Sequence, residues 1–270
     1  MDIRNILEKL LKREISIEEA ERLIKLTAIE EVGEIAKLDI NRYLRTGVPE
    51  IVLSEGKSAD DLLGIVIKGL ENPGRVILSR MNDEQLEFIQ RNIPNSAIIK
   101  VNKKARTVVV KKNGFMFGSY GGKVGILTAG TSDIPVAEEA RVVAEEMGCK
   151  VFTAYDVGVA GLHRLFLPLK EMIQNDVDSL IVVAGREGAL PSVIAGLVDV
   201  PVIGVPTSIG YGLGEKGVSA LMAMLQACSL GLAVVNIDGG VAAGAVAALI
   251  ANRVSRFRKQ MNQAVNNREF

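Results

Sequence analysis

Tryptophan is absent from the 270 residues, aromatic residues amount to 4%, and histidine occurs once, at His163. Nucleic-acid binders draw on basic charge and on aromatic platforms for the bases. Here lysine plus arginine number 32 and aspartate plus glutamate also 32, so no basic field is left once the charges cancel. Nucleic acid is not an expected partner. The two cysteines, Cys149 and Cys228, are too few for a disulfide scaffold and have no metal-ligand spacing. The first residues, MDIRNILEKLLKREISIEEAERLIKL, hold no uninterrupted apolar run and no small-residue cleavage site, which makes a cytoplasmic location the expectation. The segment Gly217–Ile237 carries no charge over a length that could span a bilayer. Its pattern turns from helical to strand-like at SLGL and it lacks a basic flank, so no membrane span is expected.

What is present is an ordinary soluble composition, 48% hydrophobic and 24% charged, with length enough for two domains. Residues 1 to about 45 read as helices, with Ser16-Ile17-Glu18-Glu19 as a capping box. EIVLS then reads as a strand, ADDLLGIVIKGLEN as a helix capped by Ser58, RVILS as a strand, NDEQLEFIQRN as a helix, and SAIIKV and ARTVVVKK as strands. The glycine-rich Gly118-Ser119-Tyr120-Gly121-Gly122 is the clearest linker, dividing a helical and small α/β domain over 1–120 from a second domain over 121–270.

In the second domain continuous Val/Ile/Leu runs alternate with helical segments: KVGILTAG, KVFTAY, SLIVVAG, PVIGVP and LAVVNI are strands, separated by helices that include GEKGVSALMAMLQACS, and a last helix runs from about Val241 to Val254. Such runs mean a parallel sheet covered on both faces, a doubly wound, three-layer domain of flavodoxin-like or Rossmann-like type. No GxGxxG motif opens it, so a standard dinucleotide fingerprint is missing. The small-residue helix GGVAAGAVAALIA implies close helix packing.

Each strand of this domain ends in a loop of small and hydroxylated residues, and in a parallel sheet these loops converge on one rim. Between Ile181 and Ile250 only six charged residues occur, and two of them, Arg186 and Glu187, are adjacent in VVAGREGALPSVIAGL just past a strand. The pair reads either as an ion pair on a loop rim or as a carboxylate placed for acid/base chemistry. Thr128, Gly130, Thr131, Ser132 and Asp133 can hold a phosphate at a helix N-terminus, or form an ordinary N-cap. Gly204–Gly214, with Ser208, Tyr211 and Gly212, is a glycine-rich loop open to close approach by a ligand or simply flexible. Asp156 and Asp238 each read as a ribose or phosphate contact or as a cap. His163 reads as a core or helix-surface residue. Cys228, three residues after Leu225 and seven after Leu221, falls on the apolar face of its helix and reads from spacing as a buried structural thiol.

Taken together, GILTAGTSD, AGREGALPSVIAGLVDVPVIGVPTSIGYG, LQACSLGLAVVNID and the upstream DINRYLRTGVPEIVLSEGK resemble the LarB family, pyridinium-3,5-biscarboxylic acid mononucleotide synthases of nickel-pincer nucleotide biosynthesis. The second domain is also similar to the phosphoribosylaminoimidazole carboxylases and mutases of purine synthesis, through Gly130-Thr131-Ser132-Asp133 and Leu190-Pro191. That family's catalytic histidine stands immediately before the Leu-Pro, where this chain has Ala189.

The LarB resemblance implies carboxylation of the pyridinium ring of nicotinic acid adenine dinucleotide with CO2 or bicarbonate, and cleavage of its phosphoanhydride to release AMP. It implies Cys228 as the thiolate that adds to the ring, Glu187 as the base that removes the ring proton, and Arg186 as a carboxylate contact. Residues 130–133 and the Ser208–Gly214 loop would hold the dinucleotide, with Mg2+ assisting hydrolysis. In the first domain Asp39, Arg42, Arg45, Glu50 and Lys57 match the family motif, read either as adenylate or phosphate contacts or as interdomain salt bridges. The related purine fold forms homo-oligomers, so a homo-oligomer is expected. The alternatives are an aminoimidazole ribonucleotide mutase and a non-catalytic nucleotide-binding module.

Overall fold

Two hydrophobic patterns, one mixed and one of unbroken apolar strands, give two separate compact units. The computed structural model describes residues 3–26, 30–32, 36–39, 42–118, 120–210 and 212–266. One unit comprises Met1–Val101 and Arg106–Met116, the other Asn102–Ala105 and Phe117–Phe270.

The first unit contains α1 (Ile3–Leu11), α2 (Ile17–Leu26), β1 (Glu30–Val32), β2 (Ala36–Leu38), α3 (Arg42–Thr46), β3 (Ile51–Leu53), α4 (Ala59–Glu71), β4 (Arg75–Ser79), α5 (Asp83–Asn92), β5 (Ala97–Asn102) and β6 (Thr107–Lys112). Its four-stranded sheet has the order β3-β4-β6-β5, with β3 parallel and β6 antiparallel to β4. Leu62, Ile65, Val66 and Leu70, on one face of α4, close over Val76, Leu78, Val108 and Val110 of the sheet. Gly69 permits that contact, since a Cβ there would lie 2.0 Å from Val76 Cγ2. Both helix starts are capped as their sequences dictate: Ser58 Oγ accepts from Asp61 N at 3.1 Å, and Asn82 and Gln85 form a reciprocal box.

The helical reading of residues 1–45 needs correction between 30 and 38. There β1 and β2 pair antiparallel, with Glu31 opposite Lys37 and Val32 opposite Ala36. Short strands with an opposite-charge cross-strand pair outweigh the helical spacing, which Gly33 already weakens.

The second unit is built from β7 (Lys123–Thr128), α6 (Ile134–Glu146), β8 (Lys150–Ala154), α7 (His163–Gln174), β9 (Ser179–Ala184), α8 (Leu190–Ala195), β10 (Val202–Pro206), α9 (Val218–Leu225), β11 (Leu232–Val234) and α10 (Gly240–Asn266). The five strands are all parallel in the order β11-β10-β9-β7-β8, a doubly wound sheet of flavodoxin-like order. Every residue of β9 and β10 is buried, as the unbroken apolar runs require. On one face Leu165, Leu169 and Met172 of α7, Leu190 and Ile194 of α8 and Met224 of α9 pack against Leu127, Leu180, Val182 and Val202. On the other, α6 and α10 lie close together, because a Cβ at Gly244 would stand 2.5 Å from the Ala140 carbonyl.

Two helix ends differ from the sequence reading. The last helix runs to Asn266, beyond the expected Val254. Two polar residues past that point have partners: Ser255 Oγ donates to the Tyr120 carbonyl and Arg258 donates to Asp178 Oδ1 at 2.7 Å. The helix expected over GEKGVSALMAMLQACS is instead a 3-10 segment, Gly212–Gly217, followed by α9, which stops at Leu225. Cys228 therefore lies past the helix and is exposed, not buried on its apolar face. The buried face of α9 is marked by Ala220 and Met224, while Leu225 is 65% exposed. A helix apolar all round leaves its inner face undetermined by leucine spacing.

Candidate active site

Four strand-end loops of the second unit close around a cavity of about 530 Å³, a size suited to a small-molecule ligand. Its wall takes Ala129, Gly130, Ser132 and Asp133 after β7, Asp156, Gly158, Val159 and Ala160 after β8, Gly185, Arg186, Glu187, Ala189 and Leu190 around the β9–α8 turn, and Ile209 and Gly210 after β10. The site thus lies beyond the carboxyl ends of β7 and β9, on either side of the point where strand order reverses.

The loops are held in sparsely populated conformations. Asp156, Arg186 and Asp238, each just beyond a strand, have φ of 59°, 49° and 55°. Left-handed backbone costs a non-glycine residue on the order of 1 kcal/mol, so neighbouring bonds must fix it. They do: Asp156 N donates to Thr128 Oγ1 at 3.0 Å, Ser219 Oγ donates to the Arg186 carbonyl at 2.8 Å, and Ser208 N donates to Asp238 Oδ1 at 2.8 Å. Gly188, at φ 62°, rests on α9 so closely that a Cβ would meet the Ala220 carbonyl oxygen at 2.7 Å. This seats Arg186 and Glu187, both exposed side chains, on the cavity wall.

Asp133 ties three loops together. Its Oδ2 accepts from Gly130 N at 2.9 Å and its Oδ1 from Thr207 Oγ1 at 2.8 Å, with a further backbone bond from Gly185. Burial pushes its carboxyl up from the ordinary value, those hydrogen bonds oppose the shift, and the nearby Asp238 charge adds to it. Its oxygens are engaged inside the protein, so it braces the rim.

The expected binding residues divide accordingly. Gly130, Ser132, Asp133, Asp156, Arg186 and Glu187 line the cavity. Thr128 does not: it is fully buried, its hydroxyl spent on Asp156. Thr131, Ser208, Gly212 and Asp238 also lie outside the lining, Ser208 and Asp238 as partners of one another. Tyr211 lies outside the described residues. Sequence reasoning missed Arg164, which lines the cavity and pairs with Asp156. Its only signal was a cation beside His163 at the start of the helix after that loop; His163 itself is an exposed helix-surface residue.

Cys228 is not on the cavity wall. It follows α9 at the amino ends of the strands, where Gly231 O accepts from Val202 N at 3.0 Å and Ser229 Oγ donates to the Ser192 carbonyl at 2.7 Å. Within one chain Glu187 does not face it, contrary to the expectation: the length of β9, roughly 17 Å at 3.3 Å per residue, lies between the two ends. Cys149 is buried beside Asn252, and desolvation pushes its thiol up to about 12. A thiol-specific reagent at pH 8 is accordingly expected to modify Cys228 alone in the native protein and both cysteines after unfolding, read by intact mass.

In the first unit the motif residues pair with each other. Arg45 bonds Asp39, Arg42 stands 3.8 Å from Glu50, and Lys57 Nζ donates to the Leu53 carbonyl at 2.8 Å. Burial pushes the Glu50 carboxyl up, with the Arg42 charge opposing. Among the described residues no group of three His, Cys, Asp or Glu is placed to hold a metal ion. With Asp133 spent on internal bonds and Asp156 on Arg164, the donors do not fit a dedicated magnesium site. Among the described residues no helix is long and apolar enough to cross a membrane.

Comparison with known proteins agrees with this architecture. Residues 123–269 match the AIR carboxylase family, and residues 29–112 match the LarB/PurE-like N-terminal domain. An uncharacterized protein of Methanocaldococcus jannaschii is 51% identical over 93% of this chain and 97% of its own length. N5-carboxyaminoimidazole ribonucleotide mutases are more distant: that of Thermotoga maritima is 28% identical over 53% of this chain and 87% of its own, and that of Methanocaldococcus jannaschii 31% over 52% and 90%. The chain belongs to the AIR carboxylase family, in a LarB-like form that carries the LarB/PurE-like domain ahead of the carboxylase-type domain.

Proposed function

We propose that this protein carboxylates the pyridinium ring of nicotinic acid adenine dinucleotide, using CO2 or bicarbonate, and hydrolyses the phosphoanhydride to release AMP. The observation that carries the reading is the cavity wall itself. It presents Glu187 between Arg186 and Gly188 and puts Ala189 where the purine family has its histidine, so a carboxylate is the available proton acceptor there. The LarB/PurE-like domain, which accompanies the carboxylase-type domain, supports the same choice over the mutase reaction.

A pyridinium ring is electron-poor, and its unsubstituted meta carbon cannot attack CO2 directly. Addition of the Cys228 thiolate to the adjacent ring carbon forms a C–S bond and leaves an enamine whose meta carbon is nucleophilic. That carbon bonds to CO2, the displaced π electrons becoming the new carboxylate. Glu187 then takes the ring proton, and expulsion of the thiolate breaks the C–S bond and restores aromaticity. The net change is exchange of a ring hydrogen for a carboxylate, with one proton released and no oxidant consumed. Arg186 and Arg164, both on the wall, hold substrate carboxylate or phosphate groups. Water completes the second reaction by attack on the phosphoanhydride. In this reading the working protein is a homo-oligomer, in which Cys228 of one copy meets the Glu187 cavity of another.

The test is to incubate the protein with nicotinic acid adenine dinucleotide and bicarbonate, with and without Mg2+, and in parallel with aminoimidazole ribonucleotide. AMP and a dicarboxylated mononucleotide are expected from the first. Conversion of the imidazole instead, or no product from a folded protein that binds the dinucleotide, would overturn the reading. Glu187→Gln is expected to preserve binding and stop turnover.

A further inference from the structure

Glu187 stands third in a tight turn whose backbone is strained. The turn runs from Gly185 to Gly188 and is closed by Gly188 N, which donates to the Gly185 carbonyl at 2.9 Å. Its second residue, Arg186, has φ of 49°, while its third, Glu187, is not left-handed. Positive φ at the second position alone defines the type II′ turn, where glycine is the favoured residue. An arginine there is under strain that a return to negative φ would relieve. That return rotates the peptide between Arg186 and Glu187, and with it the direction in which the Glu187 side chain leaves the backbone.

The carbonyl of that peptide accepts from Ser219 Oγ at 2.8 Å. Ser219 lies in the first turn of α9, which is packed on both sides. Gly217, ahead of it, is so close to the end of β10 that a Cβ would stand 2.6 Å from the Thr207 carbonyl oxygen. Ala220, after it, carries Gly188 in equally close contact. Gly214 leaves room for the hydroxyl, since a Cβ there would fall 2.2 Å from Ser219 Oγ. A fixed donor thus meets the carbonyl of a strained peptide.

We propose that Ser219 is a positioning residue for Glu187: its hydrogen bond holds the turn in the strained form and so aims the carboxylate at the ring proton. The inference rests on the function proposed above, in which Glu187 takes that proton. Ser219 is not on the cavity wall, so it acts through Glu187 and not on substrate. Proton transfer needs the two heavy atoms within about 3 Å of one another, and a shift of the turn by about an ångström forfeits most of the rate. Binding draws on other wall residues, Arg164 among them, and does not depend on the bond.

The experiment is Ser219→Ala, assayed with nicotinic acid adenine dinucleotide deuterated at the ring carbon that is carboxylated. The kcat for carboxylation is expected to fall by about a hundredfold, with KM within about twofold of wild type. The variant is expected to show a full primary deuterium isotope effect on kcat, since removal of the ring proton is then the slow step. Wild-type kcat, or a loss of rate without that isotope effect, overturns the proposal. Hydrogen exchange needs no substrate: residues 184–190 are expected to exchange roughly tenfold faster in the variant, with α9 unchanged. Unchanged exchange in the turn, or faster exchange spread through α9, also overturns it. A wild-type protein inactive on the dinucleotide would sink the proposed function, while exchange would still decide whether Ser219 holds the turn.

Discussion

Cys228→Ser is expected to lower carboxylation by roughly a thousandfold or more while leaving the fold and dinucleotide affinity nearly unchanged. The hydroxyl of serine is a far weaker nucleophile than the sulfur of cysteine, and without a C–S bond the ring's meta carbon never becomes nucleophilic. The side chain is exposed and lies outside the regular elements, so a change of one atom there should alter stability by no more than about 0.5 kcal/mol. Loss of rate therefore reads on the reaction and not on folding. Steady-state turnover together with calorimetric binding makes the measurement, and a variant that keeps a tenth or more of the wild-type rate would remove the covalent step.

Asp133→Ala is expected to have the largest effect on stability, about 3–5 kcal/mol, because it strands several buried donors at once. Gly130 N and Thr207 Oγ1 lose their acceptor, and the backbone bond from Gly185 goes with them. The three loops that these bonds hold carry the cavity wall, so dinucleotide binding should weaken along with the fold. Thr207→Val removes a single donor and is expected to cost about 1 kcal/mol. Denaturant midpoints for the two variants give the comparison. Equal, small losses would mean that Asp133 is not the tie between the loops.

Much of the fold was legible because its signals are strong. Five apolar runs with glycine turns and helical spacers leave little room for any arrangement but a parallel sheet, and β7 to β11 fall where those runs lie. Ser16 and Ser58 cap their helices through donors three residues on. The failures came where tertiary contacts decide. The β1–β2 pair depends on a partner strand a few residues away, which helical periodicity ignores. Helix α9 is apolar on every side, so spacing could not say where it stops or which face turns inward, and Cys228 was misplaced for both reasons.

The candidate site was legible in outline and not in its division of labour. Strand-end position was enough to find Arg186, Glu187, Ser132 and Asp156 on the wall. Thr128, Asp133, Ser208 and Asp238 are the same residue types in the same loops, but their polar atoms face other loops, and nothing in a linear sequence separates a brace from a contact. Arg164 escaped notice because it reaches the cavity from the first turn of a helix, past the strand-end loop whose Asp156 it pairs with.

The most direct measurement follows the carbon. Incubation with nicotinic acid adenine dinucleotide and 13C-bicarbonate, with products resolved by mass spectrometry and ring position assigned by NMR, should yield a mononucleotide bearing one labelled carboxylate on the pyridinium ring for each AMP released. AMP release without labelled carbon in the ring, or label carried only into an aminoimidazole ribonucleotide, would contradict the account.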